Sequence, residues 1–166
     1  MNCDLLEIEH PQLLALYEHW VRQCEDGKLP SRTHFNAVDL TSWLGHIMII
    51  QPIDYAQDFL YKLHGTALVE IVGEDLTGQY LSSFKENDRR IHVAKQYRDV
   101  CQSGCPSYKS SDKPFEKNYK TIKKLILPIA SDGKSVDTLI VGVYGEVNWL
   151  TRGTEGISHS FSRSVQ

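Results

Sequence analysis

The chain has 166 residues, which suits a single domain with a substantial hydrophobic core. Its 18 Lys and Arg against 21 Asp and Glu give a net charge of −3, so no basic excess marks a nucleic-acid-binding protein. The sequence contains no run of about 18 apolar residues, which a transmembrane helix would need. The first 20 residues contain four acids and no Lys or Arg, unlike a secretory signal. These properties predict a cytoplasmic globular protein.

The cysteines support the same prediction. The four are Cys3, Cys24, Cys101 and Cys105, and no CxxC pair is present. Cys101 and Cys105 could supply two metal ligands, but zinc needs four groups and no histidine cluster is near in sequence. We therefore predict free thiols in a reducing compartment and no metal site.

The N-terminal part predicts an extension followed by an amphipathic helix. Residues 1–9 form the extension, and the helix runs from about Pro11 to Cys24. His19 lies on its polar side and is predicted to be solvated. The apolar side comprises Leu13, Leu14, Leu16, Tyr17, Trp20, Val21 and Cys24.

Strands and further helices follow in alternation. A second helix is predicted from Ala37 to Leu44 with Asn36 as its N-cap. The other predicted helices run from Ala67 to Val72 and from about Phe84 to Ser103, the latter with a capping box formed by Ser83 and Glu86. The predicted strands are His46 to Ile53, Asp58 to His64, Ser107 to Ser111, Tyr119 to Ala130 and Val136 to Val147.

This order predicts an α+β fold, because two strands, a helical crossover and three strands form one mostly antiparallel sheet. Several strands are apolar on both faces, so both faces must be covered. The crossover helices cover one face. The N-terminal helix, or a second subunit, covers the other. The residues that we predict at a subunit interface are Leu13, Tyr17, Trp20 and Cys24.

The order and several short motifs resemble the Per-Arnt-Sim (PAS) domain, and most closely a bacterial subfamily of small PAS proteins. The motifs are Leu29-Pro30-Ser31-Arg32, Phe35, Trp43-Leu44-X-X-Ile47, Asp58 to Leu68, Gly73 to Gly78, and Leu127-Pro128-Ile129. The resemblance implies a five-stranded antiparallel sheet with a helical crossover on one face, and a ligand-sized cleft. It also implies a sensory or regulatory role rather than turnover.

The resemblance spans about residues 10–148, within a single domain predicted over 10–150. Residues 151–166 are polar and aperiodic, and are predicted to be a disordered tail. Because the resemblance covers almost the whole chain, we expect no attached output domain, and any signal must leave through contact with a partner protein.

Ten residues are candidates for lining the cleft. Arg90 falls on the apolar side of the long helix, where it could hold a ligand carboxylate or phosphate or pair with a nearby acid. Three tyrosines could orient a ligand with their hydroxyls: Tyr61, Tyr97 and Tyr119. The apolar walls would come from Phe59, Leu63, Leu68, Val93, Leu125 and Val141. A filled core in which each tyrosine satisfies one hydrogen bond is the simpler alternative.

The sequence identifies no cofactor. The Asn-Cys-Arg-Phe type motif of flavin photoreceptors is absent from Ile71 to Asp75, and His92 on the long helix is predicted to face water, which disfavours haem. His46 and His64 are interpreted as polar strand ends. A basic cluster is interpreted as a solvated surface rather than a nucleic-acid site: Lys113, Lys117, Lys120, Lys123 and Lys124.

The predicted function is that of a stand-alone regulatory sensor or adaptor that is not an enzyme and acts as a homodimer. It would bind a small apolar or amphipathic ligand, an unidentified partner protein, or both. One alternative is an α+β enzyme of the cone-shaped or hot-dog kind, with His46, His64 or Asp75 as a base. That enzyme would need an inward histidine–carboxylate pair in a deep polar pocket. The other alternative is a ligand-free interaction module with a filled core.

Overall fold

A computed structural model describes residues 3, 5–25, 27–36, 38–85, 87–112 and 119–147. The predicted tail at 151–166, the predicted domain end at residue 150, and Lys113 and Lys117 lie outside these residues. The helices and strands of the described part are α1 (Pro11–Arg22), β1 (Ile47–Ile53), β2 (Asp58–His64), α2 (Thr66–Val72), α3 (Asp88–Ser103), β3 (Ser107–Ser111), β4 (Tyr119–Ile129) and β5 (Thr138–Val147).

The five strands form one antiparallel sheet in the order β2-β1-β5-β4-β3. The chain leaves one edge of the sheet at the end of β2, passes through α2 and α3, and enters the opposite edge at β3. The predicted α+β fold, with a helical crossover between two hairpin strands and three further strands, is confirmed.

The two faces of the sheet carry separate apolar layers. The outer layer joins α1 and the preceding segment to one face, and its largest fully buried members include Leu13, Leu16, Phe35, Ile47, Leu125, Leu127 and Ile129. The inner layer joins α2 and α3 to the other face, and includes Ile50, Phe59, Leu68, Tyr97, Ile126 and Val141. The N-terminal helix therefore covers the outer face from within the same chain.

Gly142 in β5 lets α1 lie close to the sheet. A Cβ atom at this position would be 2.7 Å from Leu13 Cδ2 and 3.0 Å from Leu16 Cδ2. The Trp20 indole Nε1 donates a 2.8 Å hydrogen bond to the Pro128 carbonyl, which fixes the far end of the helix. Leu13 and Trp20 are 0% and 3% exposed, so their prediction as subunit-interface residues is wrong: they are buried within the chain. Tyr17 and Cys24 are partly exposed.

Two helix predictions are wrong for local reasons. In place of the predicted helix from Ala37 to Leu44, residues 38–43 form a series of turns, followed by a 3-10 turn at Leu44–His46. Asn36 Oδ1 accepts from the backbone N–H groups of Val38 and Asp39, which closes a turn but does not continue into a helix. The long helix begins at Asp88, not Phe84, because Asn87 is its N-cap and accepts from the Arg90 N–H at 2.9 Å.

The environment of His19 also differs from the prediction. Its ring packs against Phe35 at 5.5 Å and Trp43 at 5.9 Å between ring centroids, so it is half-buried and not fully solvated. The loop that carries these aromatic residues crosses α1, and the Trp43 indole N–H donates to the Gln12 carbonyl at 2.8 Å. A helical wheel alone cannot show that a loop covers the polar side of a helix.

The cysteine prediction is wrong for two of the four residues. Cys3 and Cys105 form a disulfide, whereas Cys24 and Cys101 are free. The pair is 102 residues apart in sequence, so no local spacing could have revealed it. Burial raises the pKa of each free thiol to about 11, which leaves both as unreactive thiols at neutral pH.

Candidate ligand-binding site

A cavity of about 600 Å³ lies between the inner face of the sheet and the helices α2 and α3. Its volume falls within the range of about 300–1,000 Å³ that is typical of small-molecule sites. Each of the five strands contributes to its walls. The strand residues include His64, Met48, Val143, Ile122 and Lys109.

Five of the ten predicted lining residues contact this cavity. They are Tyr61, Leu68, Arg90, Val93 and Tyr97. Phe59 and Val141 belong to the inner layer but lie behind the cavity wall, so they pack the core instead. The filled-core alternative is therefore correct for part of the inner layer only.

The predictions for Leu63, Leu125 and Tyr119 as cavity residues are wrong. Leu63 and Leu125 pack in the outer layer, on the opposite face of the sheet. Tyr119 lies against Gly145, where an added Cβ would be 2.4 Å from the Tyr119 ring. In β4 the apolar run from Leu125 to Ile129 has no alternation from which the face could be read.

A β-bulge explains why Leu63 turns away and His64 turns inward. Ile49 and Ile50 of β1 pair with Leu63 and Tyr61 of β2, which leaves Lys62 as an extra residue. Strict alternation would place Tyr61 and Leu63 on one face, but the bulge shifts every residue after it by one. His64 therefore shares the inner face with Tyr61, and it lines the cavity instead of ending the strand in water.

The His64 side chain is fully buried, with 0% exposed. Neither ring nitrogen has a hydrogen-bond partner among the described residues. Its backbone N–H donates to Thr77 Oγ1 at 3.1 Å, which fixes the position of the main chain but not of the ring. Burial lowers the pKa of His64, although the carboxylates of Asp75 and Glu74 oppose this shift. A neutral imidazole, with one N–H donor and one acceptor, therefore faces the cavity.

The carboxylate nearest to His64 belongs to Asp75. Its Oδ1 lies 3.9 Å from His64 Nδ1, which is too long for a hydrogen bond. The same oxygen accepts from the backbone N–H and the hydroxyl of Thr77 at 2.9 and 2.7 Å, and these bonds are the main cause of its lowered pKa. His64 and Asp75 therefore lie near each other, as the enzyme alternative requires. However, the Asp75 carboxylate is hydrogen-bonded to Thr77, and its side chain is 62% exposed.

Two buried tyrosines form a polar group in the cavity wall. Tyr61 and Tyr97 both line the cavity, and the Tyr97 ring packs edge-on against Phe59 at 5.2 Å between ring centroids. Burial raises the pKa of both phenols, and the positive charge of Arg89 opposes the shift. Both tyrosines therefore stay protonated at neutral pH.

Arg90 joins the start of α3 to the preceding segment. Its Nη1 donates to the carbonyl oxygens of Ser82 and Phe84 at 3.1 and 2.9 Å. These bonds fix the loop before α3 at the cavity wall, so Arg90 has a structural role beside any contact with a ligand.

The remaining histidine predictions have different outcomes. His92 is exposed, as predicted, at the outer margin of the cavity. His46 lies at the start of β1, as predicted, but its Nδ1 has no hydrogen-bond partner among the described residues, and its ring stacks on Tyr144 at 4.1 Å, with His10 against the same tyrosine at 4.2 Å. In the described part of the chain, no group of three His, Cys, Asp or Glu is arranged to hold a metal ion. Every described helix is too short or too polar to cross a bilayer.

Comparison with protein-family models matches residues 8–144 to a family described as the PAS domain. The matched segment begins before α1 and ends in β5, so it contains the described walls of the cavity. The comparison with curated proteins finds no match. Because the family match covers most of the chain, and the sheet and crossover helices agree with it, the chain belongs to the PAS domain family.

Proposed function

We propose that this chain is a regulatory sensor that binds a small molecule in the inner cavity and signals through contact with a partner protein. The PAS domain family supports a sensory or regulatory role. The observation that carries the proposal is His64, a fully buried polar side chain without a hydrogen-bond partner in the described residues. An unsatisfied buried polar group costs about 1–3 kcal/mol, and a bound ligand would remove that cost.

Occupancy of the cavity would change the surface around it. Residues of α2, of the loop before α3 and of β3 line the cavity, and no side chain fills the space between them. A ligand that binds one arrangement of these walls more tightly than another shifts the population toward it. The partner protein would distinguish the two arrangements.

The chain itself is one proposed partner, as a homodimer. Leu14 and Val21 lie seven residues apart on α1 and are 39% and 44% exposed, so they form an apolar stripe on its outer side. They replace Leu13 and Trp20 as the residues that could contact a second subunit. Light scattering at micromolar concentration should give the mass of a dimer, and a monomer would contradict this part of the proposal.

Native mass spectrometry of the freshly purified full chain tests ligand binding. We expect a co-purifying small mass that is released on denaturation and is reduced in the His64→Phe variant. His34→Phe is the control, because His34 is exposed and lies outside the cavity lining, and it should keep the small mass. A chain that is empty in both native spectra and in a ligand-observed NMR screen would contradict the proposal and favour the ligand-free module.

A second candidate function is general-base catalysis by His64, which the nearby Asp75 carboxylate favours. The two candidates differ in the pKa of His64. Burial without a hydrogen-bonded carboxylate lowers this pKa, as in the present structure, whereas a working pair with Asp75 would raise it. An NMR pH titration of the His64 ring should give a value below the ordinary imidazole pKa. A raised value that Asp75→Asn abolishes would favour the enzyme.

A further inference from the structure

We infer that the ligand is a neutral molecule with an apolar body, whose hydroxyl or N–H donors are recognised by Gln96 and His64. This inference rests on the proposed function, and it names the chemical class of the ligand for the same cavity. Its basis is the set of buried polar atoms in the cavity wall that lack a partner, and whether each of them accepts or donates a hydrogen bond.

Gln96 supplies the first of these atoms. It lies on α3 and lines the cavity, and its Oε1 is buried without a hydrogen-bond partner among the described residues. A buried polar atom that has lost its contact with water and gained no other partner is unfavourable. Because a carbonyl oxygen can only accept, the ligand group that would satisfy it is a donor.

The nitrogen of the same amide is held by His92. Gln96 Nε2 lies 2.9 Å from Nε2 of His92, which is on the preceding turn of α3. An amide nitrogen can only donate, so the His92 nitrogen is the acceptor of this bond. With its nitrogen turned toward the exposed His92, Gln96 keeps its oxygen as the buried end of the side chain.

His64 supplies a donor and an acceptor from the opposite wall. It lies on β2 in the sheet, whereas Gln96 lies on the helix that packs over the inner face. Neither nitrogen of the His64 ring has a partner among the described residues. A neutral imidazole has one nitrogen that accepts and one that donates. The two walls together therefore offer two acceptors and one donor, and a hydroxyl group can satisfy either kind.

The other polar side chains of the cavity wall carry less information about the ligand. Arg90 donates to carbonyl oxygens of the loop before α3. Lys85 and Lys109 are exposed, so water can solvate their ammonium groups. Among the described lining residues, Gln96 and His64 are those with a buried side-chain nitrogen or oxygen that lacks a partner.

This set of atoms discriminates against anions. A carboxylate or a fully ionised phosphate offers acceptors only, so it would leave Gln96 Oε1 without a partner. The apolar side chains of the cavity wall, which include Met48, Leu68 and Val93, also disfavour a buried charge that is not paired. A molecule with O–H or N–H donors on an apolar body satisfies both the polar and the apolar parts of the wall.

A titration with three flexible probes tests this inference. 1,8-Octanediol carries two hydroxyl donors, 1,8-dimethoxyoctane places acceptors without donors on the same chain, and octanedioate carries two anionic acceptors. Each probe is added to the full-length chain after dialysis to remove any co-purifying molecule. The pH is kept at about 8, above the ordinary imidazole pKa of about 6.5, and binding is followed by NMR of the backbone amides.

The diol should bind most tightly. A hydrogen bond between neutral groups contributes up to about tenfold in affinity. With acceptors on both walls, we expect the diol to bind wild type about tenfold more tightly than the diether. Octanedioate should bind no more tightly than the diether, because it brings charge into the cavity and no donor.

A variant of Gln96 provides the second measurement. Gln96→Met keeps the length of the side chain but removes its oxygen, so the preference for the diol over the diether should fall about threefold or more. Gln102→Met is the matched control, since Gln102 is exposed on the same helix and lies outside the cavity lining, and it should keep the preference. Thermal unfolding of each variant confirms that it is folded before it is titrated.

Three results would overturn the inference, and they separate it from the proposed function. If the diether or octanedioate binds wild type as tightly as the diol, the donor class is wrong while the cavity remains a ligand site. If Gln96→Met keeps the full preference, Gln96 does not recognise the ligand. If none of the probes binds, the inference fails, and a co-purifying mass in the native spectrum decides separately whether the proposed function holds.

Discussion

The outer and inner layers of this protein use the same sheet in opposite ways. The outer layer is filled with aliphatic side chains of α1 and the strands, and Gly142 lets the helix approach so closely that even a methyl group would collide. The inner layer surrounds a cavity of about 600 Å³ and places a fully buried histidine and several cations around it. The difference indicates that the outer layer contributes mainly to stability, whereas the inner layer has room for the ligand that we propose.

The largest expected effect is the loss of packing in the outer layer. Leu16→Ala removes a side chain that is 0% exposed, and we expect the free energy of unfolding to fall by about 2–5 kcal/mol in urea denaturation. Leu14→Ala on the same helix is the control, because Leu14 is 39% exposed and should change stability by less than about 0.5 kcal/mol. Equal effects would mean that α1 does not pack on the sheet as described.

The close approach of α1 to β5 predicts a somewhat smaller effect. Gly142→Ala would force Leu13 and Leu16 away from the sheet, and overpacking of this kind costs about 1–3 kcal/mol. Gly45→Ala is the matched control, since its added Cβ would meet neighbours at ordinary distances of 3.6 Å or more. A Gly142→Ala variant as stable as wild type in thermal unfolding would contradict the tight contact.

Enlarging a side chain in each layer compares the two directly. Leu127→Phe inserts atoms into the filled outer layer and should lower stability by about 1–3 kcal/mol. Val93→Phe extends into the cavity, so we expect a loss below about 1 kcal/mol together with a reduced co-purifying mass in native mass spectrometry. If both variants lose the same stability, the inner layer is as densely packed as the outer one.

The smallest expected effect is the pH dependence that His64 contributes. Its lowered pKa means that, below about pH 6.5, the unfolded chain binds a proton that the folded chain resists. The free energy of unfolding should therefore fall as the pH decreases through this range, and the stability advantage of wild type over His64→Asn should shrink. Urea denaturation at several pH values measures this difference.

An advantage of wild type over His64→Asn that grows at low pH would instead show that the Asp75 carboxylate dominates the surroundings of His64. That result would shift the assignment from ligand binding toward catalysis.

The sequence predicted the sheet, the crossover and the cover by α1 because these depend on strong periodic patterns. Half of the ten predicted lining residues contact the cavity for the same reason, since Tyr97, Val93 and Leu68 follow the helical period. The errors occurred where one residue changes the register. The bulge at Lys62 reverses which face the following residues occupy, and no local signal in β2 marks it.

Other errors came from contacts between distant parts of the chain. The loop that covers His19 and the disulfide between Cys3 and Cys105 both depend on tertiary structure. Leu125 was misplaced because β4 is apolar on both faces, which removes the alternation that would distinguish them. The different environments of two neighbouring lysines in β4 could not be predicted for the same reason. Lys123 forms ion pairs with Glu9 and Glu146, whereas Lys124 lines the cavity on the other face.

The disulfide has a mechanical consequence for a protein with one filled and one open layer. Cys3 precedes the segment whose Ile8 is buried in the outer layer, whereas Cys105 lies two residues before β3, which carries Lys109. The disulfide thus links the segment that packs in the outer layer covalently to a strand that forms one wall of the cavity. A displacement of β3 would therefore be transmitted through the disulfide to the segment that leads into α1, and reduction of the disulfide would remove this covalent link.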